Sequence, residues 1–137
     1  MKINSTLNNK YNAPFGTLLG TTMQKKIILC KNNNLFSAEQ NAVLKEIEND
    51  GFNAILDIVD KYVVKRINNK SSFDVYKCLA VIYENNKIVI DSMEQIFKPG
   101  KNNKFFYFFP DKFVKLFDPK NNLAGKIKSV CESADKK

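Results

Sequence analysis

The chain has 137 residues, the length of one average domain, and carries 22 Lys+Arg against 14 Asp+Glu for a net charge of +8. Hydrophobic residues make up 44%, which excludes wholesale disorder and supports a buried core. His is absent, so no mechanism can use a histidine base or a histidine metal ligand.

Residues 1–20 are rich in Asn and Thr, with Pro14, Gly16 and Gly20 as breakers. They predict an irregular N-terminal arm anchored through Phe15, Leu18 and Leu19, followed by a single α+β domain over 21–137. The run Ile27-Ile28-Leu29-Cys30, flanked by Lys, predicts a short strand at 24–31 that ends at Asn32-Asn33-Asn34. Ser37 with Gln40 three residues on is a capping box, so a helix is expected from there to about Asp50, with Gly51 just past its end. Its apolar positions Ala38, Ala42, Val43 and Ile47 fall near a 3.6 period. After Asn53, residues Ile55, Leu56, Val59, Tyr62, Val63 and Ile67 recur at three and four, which predicts a second helix and hence a helical hairpin.

Val75 to Glu84 and Lys87 to Asp91 are rich in Val, Ile and Tyr and flank Asn85-Asn86, the signature of a β-hairpin with a two-residue turn. That turn would set Glu84 opposite Lys87, Tyr83 opposite Ile88 and Val81 opposite Ile90. The first strand is apolar on both faces and is expected in the middle of the sheet. Lys104 to Phe109 reads as a dense aromatic strand. Pro110 and Asp111 then open a short helix to about Phe117, Asp118-Pro119 break it, and a last helix covers roughly 120–134. The expected fold is α+β: a mostly antiparallel sheet of about three to five strands, with the helical hairpin and one or two C-terminal helices packed on it.

The charge is blocky. Residues 1–36 hold five Lys and no acid, residues 37–60 hold six acids and one Lys, and residues 61–77 return to +4 with five cations and one acid. Residues 98–128 hold eight Lys and two acids. Of the 22 basic residues 21 are Lys, and Asn occupies 18 positions and Ile 12, which A/T-rich codon usage explains in part. Arg66 is the one arginine.

Two candidate surfaces follow. In the first, Lys98, Lys101, Lys104, Lys112, Lys115, Lys120, Lys126 and Lys128 interleave with Phe105 and Tyr107, the pairing of cations and stacking rings that a single-stranded nucleic acid needs. The alternative is aromatic packing beneath helices. In the second, Glu39, Glu46, Glu48 and Asp50 offer an acidic helical face to a basic partner. Asp57 and Asp60 would share a face if the second helix forms, but no third ligand stands near them. Cys30, Cys78 and Cys131 are odd in number and widely spaced, which argues against a disulfide framework and a zinc ribbon. They read as buried, reduced thiols without a histidine to activate them.

No catalytic, metal or cofactor-binding residue is assigned. The expected function is that of a small non-enzymatic binding protein of the adaptor or inhibitor type, a class that mobile elements also use. Its expected partner is another protein, with RNA or DNA binding through 98–128 as the alternative and enzyme activity as the least favoured class. Pairing of exposed sheet edges would also allow a homodimer. The polar N-terminal residues and the five-residue limit of the apolar run Phe105–Phe109 predict a cytoplasmic protein with no membrane segment.

Overall fold

The computed structural model describes residues 16–97 and 110–136. Its elements in order are β1 (Leu18–Leu19), α1 (Thr21–Asn32), α2 (Ala38–Glu48), β2 (Ala54–Ile67), β3 (Lys70–Tyr83), β4 (Asn86–Phe97), α3 (Pro110–Phe113) and α4 (Leu123–Asp135). Two 3₁₀ turns, Val114–Phe117 and Pro119–Asn121, join α3 to α4. The fold is α+β: one sheet of order β1-β2-β3-β4, antiparallel except for the two-residue β1, which runs parallel to β2. The aromatic strand expected at 104–109 lies outside the described residues.

The segment expected as a strand at 24–31 is the helix α1. Met23, Ile27 and Cys30 follow one another at four and three and are fully buried, while Ile28 and Leu29 stay half-exposed. The apolar run looked like a strand because it includes those two outward-facing residues. The segment expected as the second helix is the strand β2, so the helical hairpin over 37–67 does not form. In β2 the burial has period two: Ala54, Leu56 and Ile58 point into the core, with Ile55 on the opposite face. Six β-branched residues in the element (Ile55, Ile58, Val59, Val63, Val64 and Ile67) suit a strand better than a helix.

The local signals elsewhere match the structure. The Ser37 hydroxyl accepts from the Gln40 N–H at 3.1 Å, and the Gln40 side chain accepts from the Ser37 N–H at 2.9 Å, so the capping box of α2 is complete. Its buried positions are Gln40, Val43, Leu44 and Ile47, whereas Ala38 and Ala42 face solvent. The helix ends at Asn49, and Gly51 takes φ +84° beyond it. Pro110 opens α3, Asp118 is extended where the break was expected, and α4 covers the last helical stretch.

Both hairpins close through two residues in the left-handed region. The β3–β4 turn is Glu84-Asn85 (φ 52° and 68°), one residue earlier than expected. Tyr83 therefore pairs with Asn86 and Val81 with Ile88. Each partner moves by two residues, so every side chain keeps its face. The β2–β3 turn is Asn68-Asn69 (φ 51° and 63°), and its two strands pair without a register shift from Ala54↔Tyr83 to Ile67↔Lys70. Pairing of β3 with β4, by contrast, shifts register three times between Val75 and Ala80.

The main cluster lies on one face of the sheet, although β3 is buried on both faces, with Cys78 and Ala80 enclosed opposite Leu79 and Val81. Ala54, Leu56 and Ile58 of β2 and Leu79 and Val81 of β3 meet Met23 and Ile27 of α1, Leu44 and Ile47 of α2, Phe113 and Phe117, and Leu123 and Ile127 of α4. Phe117 packs against both Phe36 and Phe113, with ring centroids 5.6 and 5.9 Å apart. The cluster reaches Ile58 on β2 and Leu79 on β3, and Val75 further along β3 is buried as well.

Candidate functional site

Beyond the Tyr62↔Val75 pair, where β4 ends opposite Val75, β2 and β3 continue as a two-stranded arm among the described residues. Two cross-strand ion pairs brace it: Asp60 with Lys77 at 2.8 Å just before its start, and Lys65 with the buried Asp74 at 3.2 Å within it. Between and beyond them the strands expose side chains that globular cores normally hold. Tyr62 is 63% exposed, Val64 70% and Ile67 62%. Tyr62, Val64 and Phe73 share one face, and the Tyr62 and Phe73 rings stack tilted at 6.1 Å. Such a pair stiffens the ribbon by about 0.5–1.5 kcal/mol beyond area burial.

The arm is also basic. Lys61, Lys65, Arg66 and Lys70 are exposed, while Asp74, the single acid on this stretch, is buried and paired with Lys65. The chain's one arginine therefore sits next to the tip. Large apolar side chains and cations on one protruding element form an adhesive surface: the apolar groups gain from being covered, and the cations select what covers them.

The outer edge of β2 is the second feature of the arm. The Leu56 carbonyl accepts from the Gly20 N–H at 2.9 Å, so the even-numbered residues of β2 turn their backbone polar groups away from β3. β1 covers this edge only at Ile55 and Leu56, and the Ile58 N–H is taken by the Asp57 carboxylate at 2.8 Å. The outward N–H and C=O groups of Asp60, Tyr62, Val64 and Arg66 have no partner among the described residues.

The residues singled out from sequence are placed differently. Lys98, Lys101, Lys104, Phe105 and Tyr107 lie outside the described residues. Lys112, Lys115, Lys120, Lys126 and Lys128 are exposed on α3, the two 3₁₀ turns and α4. Lys126 and Lys128, two apart on a helix, point to opposed sides of α4. Glu39 and Glu46 share the exposed side of α2, and Glu48 is exposed at its end. The Asp50 carboxylate turns inward instead, accepting from the Thr17 N–H at 3.0 Å, the Thr17 hydroxyl at 2.7 Å and the Phe52 N–H at 2.9 Å. Asp57 and Asp60 stand on opposite faces of β2, each already engaged.

Cys30, Cys78 and Cys131 are free thiols, fully buried. Burial pushes the Cys131 thiol up to about 11, and nearby Asp50, Asp135 and Glu132 act in the same direction. Burial also raises Cys30, against the opposing pull of Lys26. A protonated, enclosed thiol is a poor nucleophile. Among the described residues no three of the Cys, Asp and Glu side chains come together in a way that could hold a metal ion. The groove between β4 and α4 is open, and Glu84 and Lys126 are the ionisable groups on its described walls. No helix among the described residues is long and apolar enough to cross a membrane.

Fold and arm together define an α+β protein with a projecting β-ribbon. Comparison with protein-family models, curated proteins and solved structures finds no match.

Proposed function

We propose that this is a non-enzymatic binding protein of the adaptor or inhibitor type, which engages another protein through the β2–β3 arm. The observation that carries the proposal is the exposure of Tyr62, Val64 and Ile67 beside Lys61, Lys65, Arg66 and Lys70 at the far end of the β2–β3 hairpin. Tyr and Arg are the residue types that dominate protein interfaces. Fully covering a side chain the size of Val or Ile is worth about 1.5–3 kcal/mol before the costs of association. A nucleic-acid surface has less use for exposed aliphatic groups and relies more on arginine than this chain does. Three free, buried thiols fit a reducing compartment, which supports a cytoplasmic location.

Site-specific photo-crosslinking in cells of the source organism tests this. A crosslinker at position 64 is compared with one at position 126 on α4. The proposal expects a discrete protein adduct at 64 that is absent at 126 and lost when Tyr62→Ser and Ile67→Ser are added. Adducts to nucleic acid at 64, or equal labelling at both positions, would overturn it.

A further inference from the structure

We infer that the edge of β2 left unpaired among the described residues is a strand-addition site for an extended acidic segment of the partner, one in which acidic and apolar residues alternate. The inference rests on the arm being the contact element and names how it binds. The backbone groups of Asp60, Tyr62, Val64 and Arg66 form a row facing away from β3, and β2 pairs with β3 without a bulge, so the edge is straight enough to accept a strand. An added strand would place alternate side chains on the two faces of the arm. One set would lie beside Lys61, Val63 and Lys65, the other beside Tyr62 and Val64. Acids suit the first set and apolar groups the second.

Charge also decides against a second copy of this chain. Edge-to-edge pairing of two arms would bring Lys61 and Arg66 of one copy against the same two of the other, while Lys65 is paired with Asp74. Asp60, the one acid on that stretch of edge, is already held by Lys77. An acidic strand removes the conflict and uses the same backbone groups.

The probe is a nine-residue peptide of alternating Glu and Val, capped at both ends and added to the isotope-labelled full chain. Its affinity is read by NMR titration, and the amides of Tyr62, Val64 and Arg66 are followed by hydrogen exchange. The expected result is slowed exchange at those amides on binding. At least tenfold weaker binding is expected for three comparisons: a peptide with the same residues in two blocks, a peptide N-methylated at the amides facing β2, and the Lys61→Glu protein. Val64→Pro removes one outward N–H and leaves the β2–β3 hydrogen bonds in place, so it should weaken binding as well. If Val64→Pro disturbs the fold, the N-methylated peptide still makes the same test on unaltered protein.

Equal binding of the block or N-methylated peptide would overturn strand addition. So would displacement of the peptide by single-stranded DNA, or a concentration-dependent dimer in which the same amides are protected without peptide. If the peptide fails while the crosslinker at 64 still captures a protein, strand addition falls and the arm remains the contact element. If the crosslinker captures none, the reading of the arm falls with it.

Discussion

The Asp57 carboxylate on β2 accepts a hydrogen bond from the Met23 N–H of α1 at 3.0 Å, across 34 positions of sequence. It supplies a helix cap that the local sequence lacks. Residue 20 at the N-cap is glycine, and the first turn of α1 contains no acid. Asp57 also explains that glycine. Gly20 has an ordinary φ of −69°, which any residue could adopt, but an added Cβ would overlap the Asp57 side chain.

A coupled pair of substitutions follows. Asp57→Ala should cost about 0.5–2 kcal/mol, the usual loss for a missing cap. Gly20→Ala should cost about 1–3 kcal/mol by overpacking. The double variant should be less destabilised than the sum, because removing the carboxylate clears the space the new methyl needs. Urea unfolding of the four proteins checks this. Strict additivity would show that the two residues do not share that space.

Gln40 holds two elements at once. Its side-chain carbonyl completes the capping box, and its Nε2 donates to the Asp118 carboxylate at 2.7 Å, tying α2 to the turn before α4. Gln40→Glu keeps the acceptor for Ser37 but sets two carboxylates side by side. It should lose about 1–3 kcal/mol at neutral pH, since a buried acceptor then faces a like charge. Adding Asp118→Asn should restore most of the loss, because the new amide donates where the old one accepted. Thermal melts of the three proteins measure the recovery.

These contacts show which parts of the fold were legible. The capping box of α2 and the β3–β4 hairpin rest on residues a few positions apart, and the sequence shows them directly. The cap on α1 comes from β2, so nothing near Gly20 announces a helix, and Ile27–Cys30 reads as a strand. β2 was misread because half of it is an exposed arm. A strand buried on one face alternates apolar and polar residues, but Tyr62, Val63 and Val64 are apolar in succession. The overlooked signal was Asn68-Asn69, a two-residue hairpin turn between β-branched stretches, with Arg66 beside it. The arm was missed as a site for the same reason. Exposure of an apolar residue is a tertiary property, whereas the lysines at 98–128 stood out by composition alone.

The arm should contribute little to stability. Tyr62→Ser and Ile67→Ser remove exposed groups, so each should change unfolding free energy by no more than about 0.5 kcal/mol. Val81→Ala, inside the same sheet but fully buried, should cost several times more. Chemical denaturation gives the contrast. A loss of 2 kcal/mol or more at Tyr62 would mean, by comparison with these typical magnitudes, that the arm belongs to the core.

The alkaline limit of the protein is set by groups that folding keeps protonated. The Tyr83 hydroxyl donates to the Asp135 carboxylate at 2.7 Å, tying β3 to α4. That hydrogen bond, with burial and the charges of Asp135 and Glu84, pushes the phenol up to about 12 from its ordinary 10.0. Cys131 is displaced in the same sense, to about 11 from 9.0. For both groups the folded pKa exceeds the unfolded one. Their contribution is complete below the unfolded value and lost as pH rises through the folded value. Stability should therefore decline from about pH 9, first through Cys131 and then through Tyr83 between pH 10 and 12. Absorbance of the phenolate should show the Tyr83 phenol titrating late, and Asp135→Asn should return it towards 10.0. At pH 8 a thiol reagent should find the three enclosed cysteines slow to react in the native protein and open to reaction in denaturant. Fast native labelling of Cys131 would contradict both its burial and the first step of the alkaline decline.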